Sequence, residues 1–165
     1  MSRLDSFIRR ISAQRDCLNL AALRLAGLPG PVLELGLGNG RTFDHLRQLL
    51  PDREIFVFDR QVAAHPDCIP DTRHLILGDI RETLPRAGER IHRPAALAHC
   101  DMGTGDRDAA HELARFLATH LEPLLADGAI IISDQPMSAP TWVALPLPAK
   151  VKPGRYFMAQ VRRTG

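Results

Sequence analysis

The spacing of apolar positions opens the chain on a helix. From Arg3 to Ala26, Leu4, Ile8, Ile11, Leu18, Ala22 and Leu25 recur at helical spacing, with Arg9, Arg10, Gln14 and Arg24 on the opposite face. Gly27, Pro29, Gly30 and Pro31 end it, as residues that leave or cannot continue a helix should. Val32 to Leu35 is a short apolar run ending in glycines, and so a buried strand. Arg41 to Leu50 returns to helical spacing, with Phe43, Leu46, Leu49 and Leu50 inward. Glu54 to Asp59, rich in aromatic and β-branched residues, is a second strand. Arg73 to Asp79 is a third. Ala95 to Asp101 reads as a fourth despite its alanines, because of its place in the alternation. From Asp106 to Ala126 the helical pattern is clear: Asp106 is placed to cap it, and Ala110, Leu113, Ala114, Leu117, Leu121 and Leu124 line one face. Pro123 should kink it or end it a turn early. After Asp127-Gly128, Ala129 to Asp134 is a central strand. Trp142 to Leu147 and Arg155 to Val161 are two more, turning around Pro153-Gly154.

Strands alternating with helices require right-handed crossovers, which predicts an α/β fold. The expected architecture is a doubly wound, mostly parallel sheet of about seven strands with helices on both faces. The last two strands are joined too closely for a helical crossover, so they form an antiparallel C-terminal hairpin. Pro136 to Pro148 reads as a constrained loop entering an edge strand. At 165 residues, without internal repeats, the chain is expected to be a single domain, 1–165. Residues 1–27 are its N-terminal helix.

Composition narrows the function. Aromatics are only 5%, so aliphatic side chains must build the core. The net charge is +2, with lysine only at Lys150 and Lys152; the arginines suit carboxylates and phosphates. No basic stripe or like-charge run appears, which leaves nucleic-acid binding without support. Cys17, Cys68 and Cys100 are widely spaced and in no C-x-x-C pair, against a disulfide framework or a structural zinc. No apolar stretch is long enough to span a membrane, and no signal core follows Met1. A cytoplasmic protein without membrane partners is expected.

The chemistry is concentrated after the first strand. Glu34-Leu35-Gly36-Leu37-Gly38-Asn39-Gly40 puts glycines at alternate positions, where a backbone can turn sharply and approach a ligand. The helix that follows offers unpaired N–H groups to a phosphate or carboxylate. A nicotinamide fingerprint needs its third glycine at position 41, which is Arg41; here it comes one residue early, at Gly40. Glu34 would also sit badly beside a pyrophosphate and suits a cationic amino group. Asp59, closing the second strand, can accept both hydroxyls of a ribose, a feature that serves either cofactor. Gly78-Asp79-Ile80 closes the third, with Asp79 able to accept from an adenine amino group and Ile80 to pack on the ring.

Together with Phe56-Val57-Phe58-Asp59 and the strand ends at Asp101 and Asp134, these segments resemble the successive motifs of class I S-adenosylmethionine-dependent methyltransferases, over roughly residues 30 to 135. The chain looks like a small stand-alone bacterial type. The resemblance implies S-adenosylmethionine as cofactor, held by Glu34, Gly36, Gly38, Gly40, Asp59, Arg60, Asp79, Ile80 and Asp101. His99 to Met102 would border the methyl-transfer pocket, and His99 or Asp101 would serve as base where the acceptor must first lose a proton. The helix that larger members place before the final hairpin has little room between Gln135 and Pro140, which shortens one wall of the acceptor pocket.

Several alternatives stand beside this. Catechol-type enzymes bind Mg²⁺ through aspartates at the ends of strands four and five, where this chain has Asp101 and Asp134-Gln135. Gln135 replaces their asparagine and no lysine precedes Lys150, so no metal is expected. His99 and Asp101 should share a strand face, with Cys100 opposite, and His99 fits a hydrogen-bonding role better than a catalytic one. His111 and His120 lie on opposite sides of their helix and are no ligand pair. Trp142 and Tyr156 either shape an acceptor pocket or pack the sheet edge. The predicted activity is methyl transfer to a small-molecule acceptor. A nicotinamide-dependent reductase and a non-catalytic S-adenosylmethionine-binding protein are the alternatives. The N-terminal helix is expected to act as a lid, and apolar surface near Trp142 to Leu147 predicts a possible homodimer.

Overall fold

The computed structural model describes residues 2–103 and 105–163. The first apolar pattern becomes α1 (Arg3–Arg24), started by a reciprocal cap between Ser2 and Asp5. Strands β1 (Val32–Leu35), β2 (Ile55–Asp59), β3 (Leu75–Leu77), β4 (Ala95–Cys100) and β5 (Leu125–Ser133) run parallel. Between them lie α2 (Arg41–Leu49), the short α3 (Ile80–Thr83) and α4 (Arg107–Leu121). Strands β6 (Trp142–Ala144) and β7 (Phe157–Val161) pair antiparallel, and β7 also pairs antiparallel with β5. The seven strands form one sheet in the order β3-β2-β1-β4-β5-β7-β6. The doubly wound sheet and its antiparallel C-terminal hairpin are as the alternation predicts, with β6 at the edge.

The pleat sorts side chains between two layers. Val32, Ile55, Val57, Leu97, Ile130 and Ile132 face α1 and α2; Leu33, Leu35, Phe56, Phe58, Ala98 and Ile131 face α3 and α4. Fully burying a leucine is worth roughly 1.5–3 kcal/mol. Leu18, Leu25 and Leu46, at most 1% exposed, therefore fasten α1 and α2 to the sheet.

Two expectations about the elements need correction, the inner face of α1 and the start of β5. Only the C-terminal half of α1 buries its stripe: Leu4 and Ile8 are 66% and 52% exposed, while Gln14, assigned to the polar face, is buried between Ala13 and Cys17. As expected of Pro123, α4 ends early, at Leu121, and the chain passes through a 3-10 turn, Glu122–Leu124. β5 then begins at Leu125 rather than Ala129. It accommodates Asp127-Gly128 through a register break, with Ala95 opposite Leu125 and Leu97 opposite Ile130. Residues 80–89, which have no periodic pattern because Pro85 and Gly88 interrupt them, form α3 and a 3-10 turn.

Arginines hold the connections. The Arg53 guanidinium donates to the carbonyls of Leu25, Leu28 and Gly30, pinning the α1–β1 turn. Arg90 does the same for Thr72, Arg73 and Leu75, and Arg163 for Glu122 and Leu125. These three arginines thus satisfy backbone carbonyls rather than external anions. Among the described residues no helix is long and apolar enough to cross a membrane.

Candidate active site

The strand order reverses between β1 and β4, and their carboxyl ends open the crevice where ligands bind in such sheets. The loop after β1 is shaped by glycines at positive φ. Gly36 has φ +96°, and a Cβ there would stand 2.7 Å from the Asp101 carbonyl oxygen. Gly38 has φ +51° with nothing within 4 Å of a Cβ position, so its backbone faces open space. Asp59 clamps this loop: one carboxylate oxygen accepts from the N–H groups of Leu37 (2.8 Å) and Gly38 (3.0 Å).

Two cavities meet at Gly36, Gly38 and Asp101. The first, of about 420 Å³, is bordered by Asp59, Arg60, Asp79, Ile80, Met102 and Leu113. Asp79 caps α3 through the Arg81 N–H (2.9 Å) and pairs with Arg60 (2.6 Å). That backbone donor, with the Arg60 and Arg81 guanidiniums, outweighs burial and holds its carboxyl below the usual carboxylate range. Sequence-predicted residues Gly36, Gly38, Asp59, Arg60, Asp79, Ile80 and Asp101 all border this cavity. Gly40 does not. It begins α2 and presses against Cys68, whose Cβ would lie 2.6 Å from an added methyl.

The second cavity, of about 410 Å³, lies between α1 and the start of α2. Beneath it runs a chain of hydrogen bonds. Arg10 pairs with Asp101 at 3.3 Å, and the Gln14 amide donates to the same carboxylate at 2.7 Å. That amide also lies 3.4 Å from His99 Nε2. His99 Nδ1 meets Glu34 at 2.7 Å, and the other Glu34 oxygen accepts from the Thr42 hydroxyl. Because Nδ1 faces a carboxylate it carries a proton in either state, so titration is confined to Nε2. Burial opposes charge on the imidazole, but Glu34, with Asp101 and Asp134 behind it, more than offsets this and raises it above its ordinary value. His99 and Asp101 share a face, as strand alternation requires, and Cys100 faces the other layer.

Burial bears on two of the expected roles. Glu34 is fully buried and both its oxygens are engaged, so its carboxylate reaches the cavity only through Thr42 and His99. His99 is equally enclosed, which leaves Asp101 as the half-buried member of the chain that borders both cavities. Sequence reasoning missed Gln14 and Thr42. The signal for Gln14 was present, since it stands on one helical face with Ala13, Cys17, Leu18 and Ala21. Tyr156 is fully buried, stacks on His99 with ring centroids 6.3 Å apart, and its hydroxyl has no partner among the described residues.

At the end of β5, burial and the neighbouring Asp101 raise the Asp134 carboxyl. Among the described residues no group of three or more His, Cys, Asp or Glu side chains converges to hold a metal.

A family model for S-adenosyl-L-methionine methyltransferases matches residues 1–161. The chain belongs to that family. The crystal structure of an S-adenosyl-L-methionine methyl transferase from Silicibacter pomeroyi DSS-3 is 48% identical, covers 98% of this chain and 99% of its own, and superposes with a TM-score of 0.91. More distant likenesses show the fold alone. MycE methyltransferase of the mycinamycin biosynthetic pathway, in complex with Mg and SAH, is 16% identical over 84% of this chain and 43% of its own, TM-score 0.58. The plantazolicin methyltransferase BpumL, with a pentazolic desmethylPZN analog and SAH, is 20% identical over 77% and 46%, TM-score 0.52. No curated protein matches the chain. The methyltransferase uses S-adenosylmethionine, and the nicotinamide alternative gives way to the family match. The first cavity suits that cofactor: carboxylates of Asp59, Asp79 and Asp101 for hydroxyl and amino groups, Ile80, Met102 and Leu113 for a flat ring, and an open backbone at Gly38.

Proposed function

We propose that this methyltransferase holds its cofactor in the cavity bordered by Asp59 and Asp79 and methylates a small molecule in the cavity beneath α1. The observation that carries this reading is the shared boundary of the two cavities at Gly36, Gly38 and Asp101, which puts donor and acceptor sites edge to edge. Asp59 would take the ribose hydroxyls, Asp79 and Ile80 the adenine, with Arg60 steadying Asp79, and the glycine loop the amino-acid tail. When bound, S-adenosylmethionine supplies an electrophilic methyl group on a sulfonium, so catalysis rests chiefly on positioning the nucleophile in line. Asp101 accepts a proton from an acceptor that must lose one. Its free oxygen is aimed by Gln14 and Arg10, and His99 and Glu34 act as positioning residues behind it.

α1 serves as the lid, because Phe7, Arg10, Ile11 and Gln14 form the outer wall of the acceptor cavity. The edge strand β6, with Val143 exposed and an apolar groove around Met137, Trp142 and Leu147, supports a homodimer; light scattering showing a monomer at high concentration would remove it. The absence of a membrane-crossing helix among the described residues fits a cytoplasmic enzyme. Calorimetry against S-adenosylmethionine, S-adenosylhomocysteine and NAD tests the cofactor assignment. Asp59→Ala and Asp79→Ala should each weaken the two adenosyl ligands, and unchanged affinity would overturn those roles. An acceptor screen read by S-adenosylhomocysteine release separates catalysis from simple binding.

A further inference from the structure

The acceptor cavity carries an excess of positive charge. Arg10, Arg15 and Arg41 border it, and Asp101 is the only acid among its lining residues. That acid is committed to Arg10 and Gln14. Arg15 pairs with its neighbour Asp16, whereas the exposed Arg41 has no acidic partner among the described residues. His45 is pushed below its ordinary value by burial and by Arg15, and its Nε2–H is spent on the Asn19 amide oxygen at 2.8 Å, so it adds no positive charge to the cavity. Arg41 is also the first residue of α2, a nine-residue helix whose Gly40 cap supplies no side-chain acceptor, although Asn39 Oδ1 accepts from the Arg41 N–H at 3.2 Å. The partial positive charge of its N-terminus adds to the guanidinium. Across the cavity stand Phe7, Ile11 and Leu18, with Phe7 47% exposed. An unpaired guanidinium facing an apolar wall is complementary to an amphipathic anion.

We propose that the acceptor is a small molecule with an apolar body and a carboxylate, oriented by Arg41 against the Phe7–Ile11–Leu18 wall. This rests on the reading above, in which the methyl donor occupies the neighbouring cavity. The donor's amino-acid tail also carries a carboxylate, but it is short and polar and has no use for an apolar wall.

Calorimetry separates the two sources. The protein saturated with S-adenosylhomocysteine is titrated with 4-hydroxyphenylacetate and with its neutral amide. The acid should bind about tenfold tighter than the amide, as one charge-assisted contact in a half-exposed cavity allows. Arg41→Gln should erase that preference and Arg41→Lys should keep most of it, with S-adenosylhomocysteine affinity unchanged in both. Equal binding of acid and amide, or no binding of the acid at several millimolar, overturns the proposal. So does an Arg41→Gln variant that loses affinity for S-adenosylhomocysteine but not for 5′-methylthioadenosine, since the carboxylate would then be the donor's. A wild-type protein that binds neither adenosyl ligand overturns the donor assignment itself, a distinct result that takes the acceptor assignment with it.

Discussion

Glu34 and His99 are register partners on neighbouring parallel strands, and their side chains meet at 2.7 Å with no exposed surface on either. Charge in an otherwise apolar layer survives only when its polar atoms are satisfied: Thr42 donates to the second Glu34 oxygen, and the Gln14 amide nitrogen can donate to His99 Nε2 while that nitrogen is unprotonated. Removing one charge strands the other. Glu34→Gln should cost about 3–5 kcal/mol in urea unfolding, the range for breaking a buried pair.

The same pair sets a pH dependence. A histidine raised by folding contributes stability that is complete below its unfolded value of 6.5 and is lost as pH rises through the folded value. The urea midpoint of the wild type should therefore fall as pH rises above 6.5. Asp134 is raised too, so it also lowers stability as pH rises, but from its ordinary value of 3.8 upward, and that decline persists in Glu34→Gln. A decline of equal size in both proteins would show that His99 is not its source.

Gly36 and Gly38, which both border the cofactor cavity, should behave differently. Gly36→Ala must accommodate a methyl 2.7 Å from a backbone oxygen, at a φ that side chains rarely adopt. Gly38→Ala meets only the left-handed backbone cost, about 1–2 kcal/mol, and its methyl projects into open space. Thermal melting should show Gly36→Ala as the more damaged protein. If Gly38 faces the ligand, Gly38→Ala should lose S-adenosylhomocysteine affinity out of proportion to its small loss of stability.

The element order and sheet class were legible because strands with near-continuous apolar runs alternate with helices of clear period. The cofactor motifs were legible for a related reason: each lies at a strand end, where residue type reports directly on a turn or a hydrogen bond. What sequence could not supply was the direction in which side chains pair across the sheet. Glu34 reads as a ligand contact until His99 is placed beside it by the β1–β4 register, a contact between residues far apart in the chain. Gln14 was assigned to a solvent face because the helix pattern was anchored on Leu4 and Ile8, which turn out to be exposed. The bulge in β5 escaped for want of any local mark beyond Asp127-Gly128, which equally marks a turn.

Arg53 is a structural residue rather than an anion receptor. Its guanidinium is half-buried and reaches three carbonyls at 2.6–3.2 Å, so Arg53→Ala strips this donor from the Leu28 and Gly30 carbonyls and leaves that of Leu25 with the Leu28 N–H alone. The expected loss is about 2–3 kcal/mol. That is a drop of several degrees in melting temperature, with S-adenosylhomocysteine affinity unchanged. A variant that melts normally but binds weakly would reverse that assignment.

Tyr156 poses the opposite case. Its ring is fully buried and stacks almost parallel, at 6°, on His99, while its hydroxyl finds no partner among the described residues. Burial, then the nearby Asp101 and Asp134, drives the phenol far above its usual range, so it remains neutral. A buried hydroxyl without a hydrogen bond costs about 1–3 kcal/mol. Tyr156→Phe keeps the ring and its stacking and removes that cost. The variant should melt a few degrees higher than the wild type. A lower melting temperature would mean that an ordered water already satisfies the hydroxyl. Higher stability combined with weaker ligand binding would mean that the group is held in reserve for the ligand, at the expense of the fold.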